Sequence, residues 1–342
     1  MAINRVEIKD FMAFKGEFAC GFCKGVNVII GGNATGKTTL LKLMYGLINR
    51  KLSSCFYSNS LKDSVLFGRG SISLFDLDGS HFKFDQGSYN ENAGAIVHPL
   101  NGKIVEIGAG ASILTISGKQ SIEHSESNSV YIPEKDMLSH SMGFLALKQE
   151  RPSIPFDDTL TDIIAKAQLY PKKEAFNNPL CIKIREIIGG EVAYDNDAFV
   201  VLKDKDRSQV LFSREASGYK KFGLLWKLIR NGLLEKGTVL FWDEPENSLN
   251  PELIPVLVEI LLELERGGVQ IFLATHSEVL ASYFDALRKY GDEVMFYSLY
   301  RNGESIDVDA SERFDLLTPN NLTAEQAKLY EKEVEKGLGD GN

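Results

Sequence analysis

Residues 26–38, Val-Asn-Val-Ile-Ile-Gly-Gly-Asn-Ala-Thr-Gly-Lys-Thr, constrain this chain more than any other stretch. The apolar run Val26 to Ile30 reads as a buried strand. It passes directly into the pattern G-x-x-x-x-G-K-[ST] over Gly31, Gly32, Asn33, Ala34, Thr35, Gly36, Lys37 and Thr38, with Thr39 next in the chain. Strand, glycine-rich loop and helix in that order gather backbone N–H groups and a positive helix end around one point, which favours an anion. Lys37 can reach β and γ phosphate oxygens as a point charge, and the Thr38 hydroxyl can ligate Mg²⁺. ATP or GTP is the expected ligand of this loop.

Two later strand ends carry matching chemistry. Thr238 to Trp242 is a buried-strand pattern that ends in Asp243-Glu244-Pro245. An aspartate there can hold Mg²⁺ through its water shell, and the adjacent glutamate can polarise an attacking water. Val269 to Ala274 reads as another buried strand and runs into Thr275-His276-Ser277, where His276 is placed to sense a γ-phosphate. Open α/β folds bind ligands at such strand ends.

Together these motifs resemble the ABC-type ATPases, and more closely the soluble branch that includes the RecF and SMC heads and the OLD-type ATPases. The resemblance covers residues 1 to about 50 and about 210 to 300. It implies an α/β P-loop fold: a central, mainly parallel sheet flanked by helices, an N-terminal antiparallel β lobe and a helical signature subdomain. It also implies a head-to-tail homodimer with ATP and Mg²⁺ sandwiched between the P-loop of one head and a Ser-Gly signature of the other. Ser217-Gly218 matches that signature, at the start of a helix expected over 218–230; the same serine also reads as that helix's N-cap. Glu246 to Pro251 occupies the D-loop position, with Asn250 capping a helix that has Pro251 in its first turn. Transporter-type members carry aspartate where this chain has Asn250, and many soluble relatives carry histidine. No glutamine follows the strand Val130 to Ile132, so no residue is assigned to the Q-loop and a transporter role is disfavoured. Glu244 and His276 take the catalytic roles that the resemblance implies, and Thr38 and Asp243 the metal. In relatives the segment near Phe11 to Lys15 lies against adenine, which offers Phe14 and Lys15 here, with a core role for Phe11 and Phe14 as the alternative.

The remaining sequence sets the organisation. An ATP-binding lobe with inserted β hairpins is expected over 1–150, and a helical signature subdomain over 151–235. Residues 236–313 return to the ATPase core, and 314–342 form a C-terminal helix and tail. Three strand-like segments, Arg5 to Ile8, Glu17 to Phe22 and Val26 to Ile30, read together as the antiparallel lobe. Alternating segments at 72–77, 81–84, 103–107 and 113–116 read as its hairpins. Residues 157–190 switch to helical spacing, and a hairpin at 192–194 and 199–202 leads to the signature. The last helix is expected from Thr323 to Lys336, opened by a capping box of Thr323 with Gln326. Ala327, Tyr330 and Val334 share one of its faces, which docks on the chain's own core or meets a partner.

Ser217 lies 180 positions after Lys37, and the stretch between them holds no sustained heptads, which argues against a long coiled-coil arm. About forty residues follow Ser298, too few for a C-terminal nuclease domain, so a separate effector protein such as a nuclease or toxin is expected. Resemblance extends this to anti-phage defence or toxin–antitoxin modules, with an ATP-locked regulatory scaffold or a RecF-like DNA-repair ATPase as alternatives. A net charge of −9 gives no sign of a nucleic-acid coat, although a local basic groove formed on dimerisation stays open. No apolar run reaches bilayer length and no signal-peptide pattern opens the chain, so no membrane partner and a cytoplasmic location are expected. Cys20 and Cys23 form a lone C-x-x-C without a second pair, and with Cys55 and Cys181 they read as reduced thiols.

Overall fold

The computed structural model describes residues 2–49, 128–151 and 156–339, together with strands at 71–76, 81–85, 104–106 and 113–117. Cys55 lies outside these residues. The strands β1 (Ile3–Phe11) and β2 (Phe14–Gly21) pair antiparallel, with Val6 opposite Cys20 and Ile8 opposite Phe18. The third strand, β3 (Val26–Gly31), does not belong with them. Its six residues are all buried, as a strand covered on both faces requires, and it lies in the other large sheet. The antiparallel sheet instead continues through β4 (Ser71–Asp76), β5 (His81–Asp85), β6 (Ile104–Glu106) and β7 (Ile113–Ser117), in the order β2-β1-β4-β5-β7-β6. The expected hairpin segments thus form one sheet with β1 and β2.

The central sheet adds β8 (Ser129–Ile132), β12 (Val239–Asp243), β13 (Gln270–Ala274), β14 (Val294–Asn302) and β15 (Ser305–Ser311), in the order β15-β14-β3-β13-β12-β8. Only β15 runs antiparallel to its neighbour. Because side chains alternate along a strand, successive residues feed two different cores. Val28, Ile30, Leu240 and Trp242 enter one, while Ile29, Val239 and Phe241 enter the other.

Helix α1 (Lys37–Ile48) and the antiparallel lobe share the second core, through Leu41, Met44 and Leu47 from the helix and Val6, Phe11 and Phe14 from the strands. The opposite face carries the other helices. These include α2 (Phe144–Glu150), α3 (Asp158–Gln168), α4 (Pro179–Ile188), α5 (Ser217–Arg230), α6 (Ile254–Arg266) and α7 (Glu278–Leu287). Leu160, Ile163, Ile164 and Ala167 of α3 are buried as their spacing predicts. A small antiparallel sheet of β9 (Gly190–Asp195), β10 (Ala198–Lys203) and β11 (Gln209–Leu211) precedes α5. The ion pair Lys42–Asp157 (2.6 Å) and the bond from Tyr45 Oη to Asp162 (2.9 Å) fasten α1 to the start of α3.

Two helix starts differ from the sequence reading. Ser217 is the first residue of α5, not its cap; Ala216 holds the cap position and no side chain bonds there. The last helix, α8 (Asn321–Gly339), begins before Thr323, whose N–H is accepted by Asn320 Oδ1 at 3.3 Å. Docking of its apolar face on the chain's own core is also overturned: Ala327, Tyr330 and Val334 are all exposed, and Leu322 is the residue that packs against the core. No helix among the described residues is long and apolar enough to cross a membrane.

Candidate functional site

Parallel pairing brings the carboxyl ends of four strands side by side. Ile29 of β3 is opposite Ala274 of β13, Ala274 is opposite Asp243 of β12, and Trp242 is opposite Ile132 of β8. Whatever follows each strand therefore meets the others. That places the glycine-rich loop, the loop after Asp243 and the segment Thr275-His276 around one point.

Gly31 is required by its backbone. Its φ is +147°, and a Cβ there would lie 2.3 Å from the carbonyl oxygen of Leu299 on β14. Gly36, at φ +88°, caps α1 over the ring of Phe14, which would sit 3.0 Å from a Cβ. Phe14 is thus a fully buried floor under the loop and offers no face to a base, which removes it from the adenine reading; Lys15 is exposed. Within the loop, Thr35 Oγ1 donates to the carbonyl of Gly32 (2.9 Å), and Arg301 donates to the carbonyl of Ala34 (3.1 Å). Lys37 Nζ donates to the carbonyls of Gly31 (2.8 Å) and Gly32 (3.0 Å). Burial pushes this ammonium down to about 8, against the opposing pull of Glu244, Asp243 and Glu246.

Thr38 Oγ1 donates to Asp243 Oδ1 at 3.1 Å, and Tyr131 Oη to Asp243 Oδ2 at 3.4 Å. Burial raises the Asp243 carboxyl above its ordinary value, and the Thr38 hydrogen bond opposes that rise. A hydroxyl beside a carboxylate is a hard oxygen donor pair of the kind Mg²⁺ uses when phosphates and water complete its shell. Among the described residues no group of three or more His, Cys, Asp or Glu is arranged to hold a metal by itself. Cys20, Cys23 and Cys181 are free thiols.

Glu244 follows with φ 48°, and its carboxylate lies 3.6 Å from His276 Nε2. That distance is too long for a hydrogen bond. Burial lowers the His276 pKa below its ordinary value, which favours the neutral ring over a charge pair with Glu244. Burial raises Glu244, and Glu134, Asp243 and Glu246 add to the rise. Ser217 is exposed at the start of α5, and Gly218 packs so closely on the loop after β12 that a Cβ would be 3.2 Å from Leu249 Cδ1. Asn250 caps the short 3₁₀ turn at Pro251–Leu253 that leads into α6, accepting from Glu252 N at 3.2 Å.

Other residues at the site were not assigned from sequence. Glu134, just beyond β8, accepts from Asn247 Nδ2 at 2.7 Å and occupies the region where a Q-loop was sought. Glu246 Oε1 accepts from Thr275 Oγ1 (2.6 Å) and from the N–H of His276 (3.1 Å), joining the loops after β12 and β13. Lys221 of α5 donates to the Glu244 carbonyl. Glu134 and Lys221 are common surface residue types, and Glu246 opens the D-loop segment with no role of its own legible there, so only contacts in three dimensions identify them.

Residues 109–282, just over half of the chain, match the family described as "AAA domain, putative AbiEii toxin, Type IV TA system". Residues 1–95 match the family described as "AAA ATPase domain". An "ATP/GTP phosphatase" of Helicobacter pylori is 20% identical over 336 residues, covering 85% of this chain and 89% of that protein. An "Uncharacterized ABC transporter ATP-binding protein YybJ" of Bacillus subtilis is 27% identical over 140 residues, 39% of this chain and 60% of that protein. A solved Smc head bound to the C-terminal winged-helix domain of ScpA superposes with a TM-score of 0.58 at 13% identity, covering 91% of this chain and 98% of that one. A second Smc head, with an extended coiled coil and bound to the C-terminal domain of ScpA derived from Pyrococcus furiosus, gives 0.56 at 12% identity, covering 98% and 99%. At these identities the structural likeness is one of fold: a central sheet with flanking helices and an N-terminal antiparallel lobe.

Proposed function

The chain belongs to the AAA-domain family that matches it over residues 109–282, and from this membership and the site geometry we propose an ABC-type ATPase that hydrolyses ATP to ADP and phosphate. ATP-dependent closure of a head-to-tail homodimer drives or gates a separate effector protein. The observation that carries this reading is the convergence of Lys37, Thr38, Asp243, Glu244 and His276 at the ends of adjacent parallel strands.

In this reading the backbone N–H groups of residues 31–39 and the Lys37 ammonium bind the phosphates. Thr38 and Asp243 would hold Mg²⁺, which when bound neutralises charge on the phosphate oxygens. Glu244 orients and polarises the attacking water, and burial, which raises its carboxyl above the ordinary value, makes it a better proton acceptor than an exposed glutamate. Neutral His276 offers a ring N–H to the γ-phosphate region. Ser217 and Gly218 are exposed or half-buried at the positive end of α5, and they meet the nucleotide held by a second copy. The family description names a toxin–antitoxin system and the Smc heads are bound to ScpA, which supports a separate protein effector such as a nuclease or toxin; anti-phage defence is the setting we propose for it.

Glu244→Gln tests the reading. It retains ATP, slows turnover by at least ~10²-fold, and accumulates as a dimer on sizing with ATP and Mg²⁺, whereas Lys37→Ala loses tight ATP binding. Wild-type phosphate release from Glu244→Gln, or unchanged ATP affinity in Lys37→Ala, refutes it.

A further inference from the structure

Helix α5 touches the loop after β12 at two points. Its first turn packs Gly218 against Leu249. Three residues on, and so on the same side of the helix, Lys221 Nζ donates to the backbone carbonyl of Glu244 at 2.9 Å. The preceding Lys220 is engaged elsewhere, with the carbonyl of Ser213 and with Asp136.

The peptide that Lys221 holds is an unusual one. Glu244 has φ 48°, a left-handed conformation that disfavours a residue with a Cβ and persists only where surrounding groups enforce it. Its N–H donates to the Ala274 carbonyl at 2.8 Å, and its carbonyl accepts from Lys221 and from the N–H of Asn247 at 3.1 Å. One end of Glu244 is therefore fixed by β13 and the other by the signature helix. Burial pushes the half-buried Lys221 ammonium down to about 8, against the opposing pull of the Glu246, Glu134, Glu244 and Asp136 carboxylates, and the direct acceptor is the neutral Glu244 carbonyl.

We propose that Lys221 is a positioning residue for ATP hydrolysis: by holding the Glu244 carbonyl it maintains the left-handed turn that aims the Glu244 carboxylate at the attacking water. The inference rests on the reading of Glu244 given above. It predicts a split that a purely structural lysine would not give, because Lys221 touches the water-activating segment and none of the phosphate-binding loop.

The test is steady-state ATP hydrolysis by full-length Lys221→Met, which keeps length and removes the donor, beside Lys221→Arg, which keeps a donor. Lys221→Gln, shorter and uncharged, gives the same readout should the methionine variant not fold. Misplacement of a reacting group by about an ångström lowers turnover by up to ~10²-fold. The expected result is kcat down ~10-fold to ~10²-fold in Lys221→Met, KM and ATP affinity within about twofold of wild type, and substantial recovery in Lys221→Arg. A kcat within about twofold of wild type overturns the proposal. So does loss of ATP affinity in step with kcat without rescue by arginine. If Glu244→Gln itself turns over at the wild-type rate, the Glu244 reading has failed; if Glu244→Gln is inactive while Lys221→Met is normal, only the positioning role of Lys221 has failed.

Discussion

Gly31 and Gly32 stand next to each other in the same motif, yet the structure gives them different reasons to be glycine. A methyl group on Gly31 would lie 2.3 Å from the Leu299 carbonyl oxygen and 2.8 Å from Thr35 Oγ1, on a backbone with φ +147°. The Leu299 oxygen cannot swing aside, because Leu299 is the β14 residue paired with Gly31. Gly31→Ala must therefore push β14 away from β3 or distort the loop. Overpacking of this kind costs about 1–3 kcal/mol, and a left-handed backbone with a Cβ roughly 1–2 kcal/mol more. About 3 kcal/mol in a chain of this size lowers the melting temperature by on the order of 6 °C. At Gly32 the nearest atoms to an added Cβ are Asn321 Nδ2 and Thr35 Cγ2, both at an ordinary 3.8 Å. Gly32→Ala is expected to leave stability within about 0.5 kcal/mol of wild type. Thermal unfolding of both variants without nucleotide measures the contrast. Equal melting temperatures for Gly31→Ala and wild type, or a Gly32→Ala loss as large as that of Gly31→Ala, refute the argument.

Two further outcomes follow from other parts of the fold. Ser217→Arg heads are expected to bind ATP without hydrolysing it, and mixing them with Lys37→Ala heads should restore partial ATPase activity, because one composite site is then intact; normal hydrolysis by Ser217→Arg monomers would exclude the shared site. Arg266 holds the half-buried Asp292 through two bonds of 2.8 and 2.6 Å, which keeps that carboxyl below the ordinary carboxylate range. A depressed folded pKa stabilises above the unfolded value near 4 and is lost as pH falls through the folded one. Arg266→Met should therefore cost about 1–3 kcal/mol at pH 7, with the gap to wild type narrowing as pH falls below the ordinary carboxylate range in denaturant titrations.

The sequence made some of this legible for definite physical reasons. β3, β12 and β13 are short apolar runs that end in glycine, acid or histidine, and such runs are buried parallel strands with their chemistry at the carboxyl end. The same property hid which sheet β3 joins, since a strand buried on both faces carries no alternation to set it apart from a lobe strand. Glu134 was illegible because its place depends on register: β8 pairs with β12 so that Ile132 faces Trp242, and only then does the turn after Ile132 stand beside Asp243 and Glu244. The start of α8 was misread among three cap-competent residues, Asn320, Asn321 and Thr323. A tertiary bond decides it, from Ser298 Oγ on β14 to the carbonyl of Pro319, which fixes the chain just ahead of Asn320.

Two strained positions in the site share one mode of support. Ala34 in the P-loop and Glu244 after β12 both have left-handed backbones, at φ 59° and 48°, although neither is glycine. Each departure costs roughly 1–2 kcal/mol in isolation. In each case the carbonyl oxygen accepts from a long cationic side chain on a neighbouring element: Arg301 of β14 reaches Ala34, and Lys221 of α5 reaches Glu244. A hydrogen bond from a charged donor contributes about 1.5–3 kcal/mol where it is shielded from water, as at the half-buried Lys221, which offsets the backbone term there, and less at the exposed Arg301. The loop that binds phosphate and the loop that carries the acid are thus held in shape by elements outside both motifs. Arg301 and Lys221 belong with the site even though their cationic ends touch only backbone, because without them the chain would relax toward ordinary turns that point the loop N–H groups and the Glu244 carboxylate elsewhere.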